Sequence, residues 1–89
     1  MSLAFPRQDR MFLREAVEVA FVGDNDGVVV PCRIGGDALA KLSGRHRPVG
    51  DVALDIFDAF RPKIEDIARR LHAEGRIDNA MVRIRRADL

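Results

Sequence analysis

Between residues 51 and 74 the apolar positions recur at steps of three and four, and Ile56, Phe57, Phe60, Ile64, Ile67, Ala68 and Leu71 make one continuous stripe. That spacing predicts a long amphipathic helix, with Asp55, Asp58, Arg61, Glu65, Asp66, Arg69 and Arg70 on its solvated side. Glu65 with Arg69, and Asp66 with Arg70, stand in the favourable acid-before-base order, each pair worth roughly 0.2–0.5 kcal/mol. Pro62 conflicts with an unbroken helix, since it removes the bond to residue 58 and clashes with that carbonyl; a kink or break is expected near residues 58–61. Asp51 is placed to cap the start, and Gly75 ends the helix.

Earlier in the chain the period is two. In residues 15–22, Val17, Val19 and Phe21 alternate with Ala16, Glu18 and Ala20; in residues 28–34, Val28, Val30, Cys32 and Ile34 share one side. With turn chemistry at Asp24-Asn25-Asp26-Gly27 between them, these segments predict a β-hairpin. Opposed residues share a face, so the loop must hold an even number of residues. A four-residue loop sets Phe21 against Val30, Val19 against Cys32, Val17 against Ile34, and Glu18 against Arg33 as an opposite-charge pair.

The remaining elements are shorter. Residues 2–5, closed by Pro6, read as an edge strand, and residues 7–14 as a polar connection in which Met11, Phe12 and Leu13 plug one end of the core. Gly35 caps a short helix that reaches Ser43, with Asp37 in its first turn, Lys41 in its last and Gly44 just beyond. After a turn at Asp78 and Asn79, residues 81–86 form a last strand with Val82 and Ile84 inward and Arg83 and Arg85 outward. The order is β-β-β-α-α-β. It predicts a single α+β domain over residues 1–89, a small antiparallel sheet with two helices, the second long and kinked near Pro62, packed on one face.

Composition narrows the picture. A chain of 89 residues buries only about 60–65% of its unfolded surface, so its core is small. One cysteine, Cys32, leaves no internal disulfide, and no apolar run approaches the roughly 18 residues of a membrane span; no signal-peptide pattern opens the chain. The expectation is a cytoplasmic protein without membrane contact. The net charge is +1, but residues 61–89 carry 8 basic and 5 acidic side chains. Of the 15 basic residues only Lys41 and Lys63 are lysine, a bias that biased genomic base composition explains as readily as guanidinium recognition of anions.

Each hint of chemistry has a plainer reading. A calcium loop at residues 24–27 would need ligands where Val22 and Arg33 stand, so the segment reads as a turn. Cys32 lies on the apolar side of a strand, with only His46 and His72 available as bases, and reads as a buried thiol. Neither a zinc site nor a dinucleotide or P-loop spacing is present around these residues or Gly35-Gly36, and no cofactor is expected. Two surfaces remain. Arg33, Arg83, Arg85 and Arg86, extended by Arg45 and Arg47, form a candidate anion or partner surface, although no Trp or Tyr is present to stack on bases. Ala16, Glu18, Ala20, Val29, Pro31 and Met81 form a candidate interface on the helix-free side of the sheet.

Taken in order, Leu3-Ala4-Phe5-Pro6, Ala16-Val17 followed by Phe21, Val30 to Cys32 followed by Asp37-Ala38-Leu39, and then Phe57, Phe60-Arg61, Ile64-Glu65 and Ala68 resemble the small bacterial family called domain of unknown function 1488. The resemblance covers nearly the whole chain and implies a stand-alone cytosolic α+β domain of this length. It carries no catalytic or binding residues to transfer. Gly35-Gly36 departs from the family pattern, which has a hydroxyl residue as helix cap. The function expected is that of a non-enzymatic interaction or accessory module that self-associates or binds a protein partner through its sheet. The alternative is weak nucleic-acid binding through the arginines of the last strand. An enzyme would require a concave pocket holding Cys32 or His72 with a perturbed acid or base.

Overall fold

A computed structural model describes residues 3–46 and 48–89. Strand β1 (Arg10–Leu13) is followed by β2 (Glu18–Asn25) and β3 (Val28–Gly35), then helices α1 (Gly36–Ser43), α2 (Gly50–Ala59) and α3 (Arg61–Ala73), strand β4 (Val82–Ile84) and a 3-10 turn at Arg86–Asp88. The sheet order is β1-β2-β3-β4, with the first two pairings antiparallel and β3–β4 parallel. The sheet is therefore mixed, not antiparallel, and holds a strand that the periodicity did not reveal. Residues 10–13 are not a plug: Phe12 pairs with Val19 and turns to the core, while Met11 pairs with Ala20 and turns away from it. The expected first strand is reduced to one bridge, in which Ala4 and Asp24 exchange both backbone bonds at 2.9 and 2.7 Å; Ser2 lies outside the described residues.

The hairpin turns on two residues, Asp26 and Gly27, at φ 53° and 86°. Both values are positive, as the twist of the flanking strands favours in a two-residue turn, and the Asp24 carboxylate accepts the Gly27 amide at 2.7 Å. This loop is also even, so the faces are as expected, but the register moves by two: Phe21 opposes Cys32, Val19 opposes Ile34, and Glu18 opposes Gly35 instead of Arg33. Val17 leaves the ladder altogether, at φ 53°. β4 covers only Cys32–Ile34 of β3, so Pro31 sits where β3 has a single neighbour, a position proline tolerates.

One face of the sheet carries Val19, Phe21, Cys32, Ile34, Val82 and Ile84, all buried against Leu39, Phe57, Ile64, Ile67 and Leu71 of the helices. Phe21 lies at its centre, with ring centroids 5.8 Å from Phe5 and 5.0 Å from Phe57. Leu3 packs over Gly23, where a Cβ would meet its side chain at 2.8 Å, so this glycine makes room for the N-terminal segment.

The stretch expected as one long helix is two, α2 and α3, with Phe60 ending the first and preceding the second, and Pro62 in the first turn of α3. A straight helix over residues 50–73 would run about 36 Å, and the molecule's longest extent is 35 Å; the break keeps both pieces on the sheet. Val49, not Asp51, precedes α2 as its cap, with Asp51 in the first turn. Along α3 the expected Glu65–Arg69 pair is present at 4.0 Å, but Asp66 pairs with Arg69 and not with Arg70. Arg69 meets Asp66 at 2.7 Å, Arg61 meets Glu65 at 2.9 Å, and Arg70 donates to the Asp88 carbonyl. Arg61 also donates to the carbonyls of Arg7 and Gln8, and Arg69 to that of Leu3, so these side chains staple the N-terminal segment to the helix instead of standing in solvent.

Candidate functional site

The helix-free face of the sheet follows from the register. Across it run Met11, Ala20, Arg33 and Arg83 in one row, Leu13 and Glu18 in the next, and Val22 beside Pro31 toward the hairpin end, with Val29 beyond. Met81 joins from the turn before β4, within 3.8 Å of the Arg83 guanidinium. Met11 and Val29 are 63% and 51% exposed, which makes them the most open large apolar side chains of this face. Of the six residues expected here, Glu18, Ala20, Val29, Pro31 and Met81 lie on the face, while Ala16 sits in the β1–β2 connection, away from the ladder.

Glu18 lies near the middle and joins the arginines. Its carboxylate is 3.4 Å from Arg33 and 3.3 Å from Arg83, with a side chain only 12% exposed. Arg83 reaches Asp78 at 3.6 Å, and Arg85 meets the same carboxylate at 2.7 Å. The Arg83 Nε is buried and lacks a hydrogen bond, so its charge is balanced while its donor is not aligned. Three of the four arginines expected to form an anion surface are thus held by two acids. The fourth, Arg86, is not on the strand: it opens the 3-10 turn and faces the end of the sheet where β3 gives way to α1. Arg45 lies near it in the α1–α2 connection, and Arg47 is outside the described residues.

Sequence reasoning missed Met11, Leu13 and Val22 as members of this face. Met11 and Leu13 do alternate with Arg10 and Phe12, but over four residues, too few for a period of two to stand out.

Two titratable groups off this face, Cys32 and Asp58, are tied into the fold. Burial pushes the Cys32 thiol up to about 12, and it points to the core, so it is a poor nucleophile. Asp58 on α2 is held below the usual carboxylate range by its hydrogen bond with Arg10 of β1, with contacts at 2.9 and 2.8 Å. Among the described residues no group of three His, Cys, Asp or Glu side chains is arranged to hold a metal ion, and no helix is long and apolar enough to cross a membrane.

Comparison with known proteins adds the family. A crystal structure of a protein of unknown function from the DUF1488 family of Shewanella loihica PV-4 is similar in fold, with a TM-score of 0.83 and 24% identity over 92% of this chain and 90% of that one. No curated protein matches. The family described as "Protein of unknown function (DUF1488)" matches residues 3–84, and the chain therefore belongs to the DUF1488 family.

Proposed function

We propose that this chain is a small non-enzymatic interaction module that pairs with a second copy of itself through the open face of its sheet. The observation that carries this reading is the composition of that face: apolar Met11, Leu13, Ala20, Val22, Val29 and Pro31 surround an ion cluster of both signs, in which Glu18 and Asp78 hold Arg33, Arg83 and Arg85. A two-fold contact sets one patch against itself, which a patch of a single sign resists and one of mixed sign permits. Sheets stack at about 10 Å with side chains interdigitating, and a standard contact takes about 800 Å² per partner. That is a modest share of the chain's 5365 Å². Such burial would also relieve the thin core of an 89-residue domain.

Use of the same face for nucleic acid is the weaker reading, because phosphates would first have to displace Glu18 and Asp78 from Arg33, Arg83 and Arg85. The reading places the module in the bacterial cytoplasm, where a lone core thiol stays reduced. Sedimentation equilibrium at low and high salt tests it. The expected result is a salt-resistant dimer that becomes monomeric when Met11→Glu and Val29→Glu are combined. A monomer at the highest soluble concentration, or a dimer indifferent to both substitutions, overturns it.

A further inference from the structure

A second surface lies off the open face, at the carboxyl ends of β3 and β4, the one parallel pair of the sheet. Such ends, where a helical crossover leaves a crevice, are favoured places for ligands in open sheets. Here a trough of about 440 Å³ is walled by Val17, Ala40, Pro48 and Val49, with His46 and Arg86 at its rim. Val17 and Val49 are 42% and 54% exposed. Val17 is held from behind, since its carbonyl accepts the Gly36 amide at 2.8 Å and a Cβ on Gly36 would meet its Cγ1 at 2.9 Å. A polar extension of about 350 Å³ shares Ala40, His46 and Arg86 and adds Lys41 and Arg45.

The basic side chains gathered around this trough stand outside the ion pairs of the described residues. Ion pairs among the described residues engage Arg10, Arg33, Arg61, Arg69, Arg76, Arg83 and Arg85. None of them engages Lys41, Arg45, His46 or Arg86, which cluster here, whereas the other described arginines and lysines outside these pairs, Arg7, Arg14, Lys63 and Arg70, do not line the trough or its extension. The trough's one acid among the described residues, Asp37, turns its carboxylate to the Ala38 amide in the first turn of its own helix at 2.8 Å, and the Gly36 amide goes to the Val17 carbonyl. The helix end is thus already occupied, and the uncommitted positive charge is on side chains.

We infer that this trough is a docking site for an acidic segment of a partner protein, which lays an apolar side chain between Val17 and Val49 and its carboxylates against Arg86, Arg45 and Lys41. Charge complementarity carries the choice of occupant. Apolar walls give a simple anion nothing to match, and among the described residues no Phe, Tyr or Trp lines the trough to make a stacking platform for bases. A membrane surface meets convex protrusions, whereas this surface is a half-open concavity, of the kind that takes a side chain of a bound peptide.

An array of short synthetic peptides varying in Leu, Phe, Asp, Glu, Lys and Ser, probed with the labelled full chain, tests the inference. Peptides combining acidic and apolar residues are expected to be retained above those with Lys for acid or Ser for Leu. Fluorescence anisotropy on the best of them should then show about tenfold weaker binding with Arg86→Glu and with Val49→Asp. Asp is a favoured helix cap and Val49 is the exposed cap of α2, so the second variant should keep its fold. No retained peptide, equal retention of basic ones, binding untouched by both variants, or binding only to anionic lipid vesicles or inorganic phosphate overturns the inference. The two Val49 and Arg86 variants leave the open face intact, so dimerisation and peptide binding fail or stand separately.

Discussion

Glu18 and Phe21 stand three residues apart on β2 and belong to opposite sides of the sheet, and different information specifies the two sides. Phe21 faces the helices, where any large apolar side chain at the right parity contributes, because burial is non-directional. Glu18 faces outward, where its effect depends on which residues the register and the crossover bring beside it: Arg33 from β3 and Arg83 from β4. A pattern of hydrophobicity therefore predicts the first side well and the second only in outline.

The covered side should show the largest response. Phe21→Ala removes a ring packed between Phe5 and Phe57, and a deletion of this kind costs about 3–5 kcal/mol. Domains of this size are typically stable by roughly 5–15 kcal/mol, so the variant should lie close to unfolding, seen as a large drop in the urea midpoint with an unchanged slope. A drop under about 1 kcal/mol would mean that the core is not organised around this strand.

Register and direction are where sequence reading stops. Loops of two and of four residues both satisfy the parity of Val19, Phe21, Cys32 and Ile34, so alternation alone could not choose between them; the positive φ available to Asp26 and Gly27 decided it. The helix at residues 36–43 was legible because Gly35 and Gly44 bracket it and both bracket it in the structure. The direction of β4 was not legible. It depends on three helices returning the chain to the end where β3 began, and a three-residue strand carries no signal of its own orientation. The open face suffered accordingly. Its members on β2 and β3 other than Val22 were readable, those on β1 were not, and Arg83 and Arg85 looked free because the turn before β4 brings Asp78 to them only in space, whereas Arg33 does meet Glu18 as the alternation suggested.

Glu18→Gln sharpens the comparison at an intermediate scale. It keeps the shape but leaves Arg33 and Arg83 side by side without their shared acid, and because the guanidiniums are partly solvated the cost should be about 1–2 kcal/mol. The larger change should be in behaviour. With its arginines released, the face should bind mixed nucleic acid weakly and with a steep salt dependence that the parent chain lacks. If the variant and the parent bind alike, the acids are not what holds these arginines back.

The smallest effect belongs to the edge, where Arg10 of β1 meets Asp58 of α2 across the rim of the core. The folded chain holds Asp58 below the usual carboxylate range, chiefly through the hydrogen bond from Arg10, while in the unfolded chain it titrates near about 3.9. A carboxylate whose folded value is depressed contributes stability that is fully present above the unfolded value and is lost as pH falls through the folded one. Acid unfolding should therefore gain a small component below about pH 4 that Arg10→Gln removes, leaving neutral-pH stability nearly unchanged, since exposed pairs contribute little. A carbon-detected titration of Asp58 checks the sign directly. An upward move of its midpoint in Arg10→Gln ties β1 to α2 through this pair, whereas an unmoved midpoint would mean that Phe12 alone docks the strand the hydrophobic pattern failed to announce.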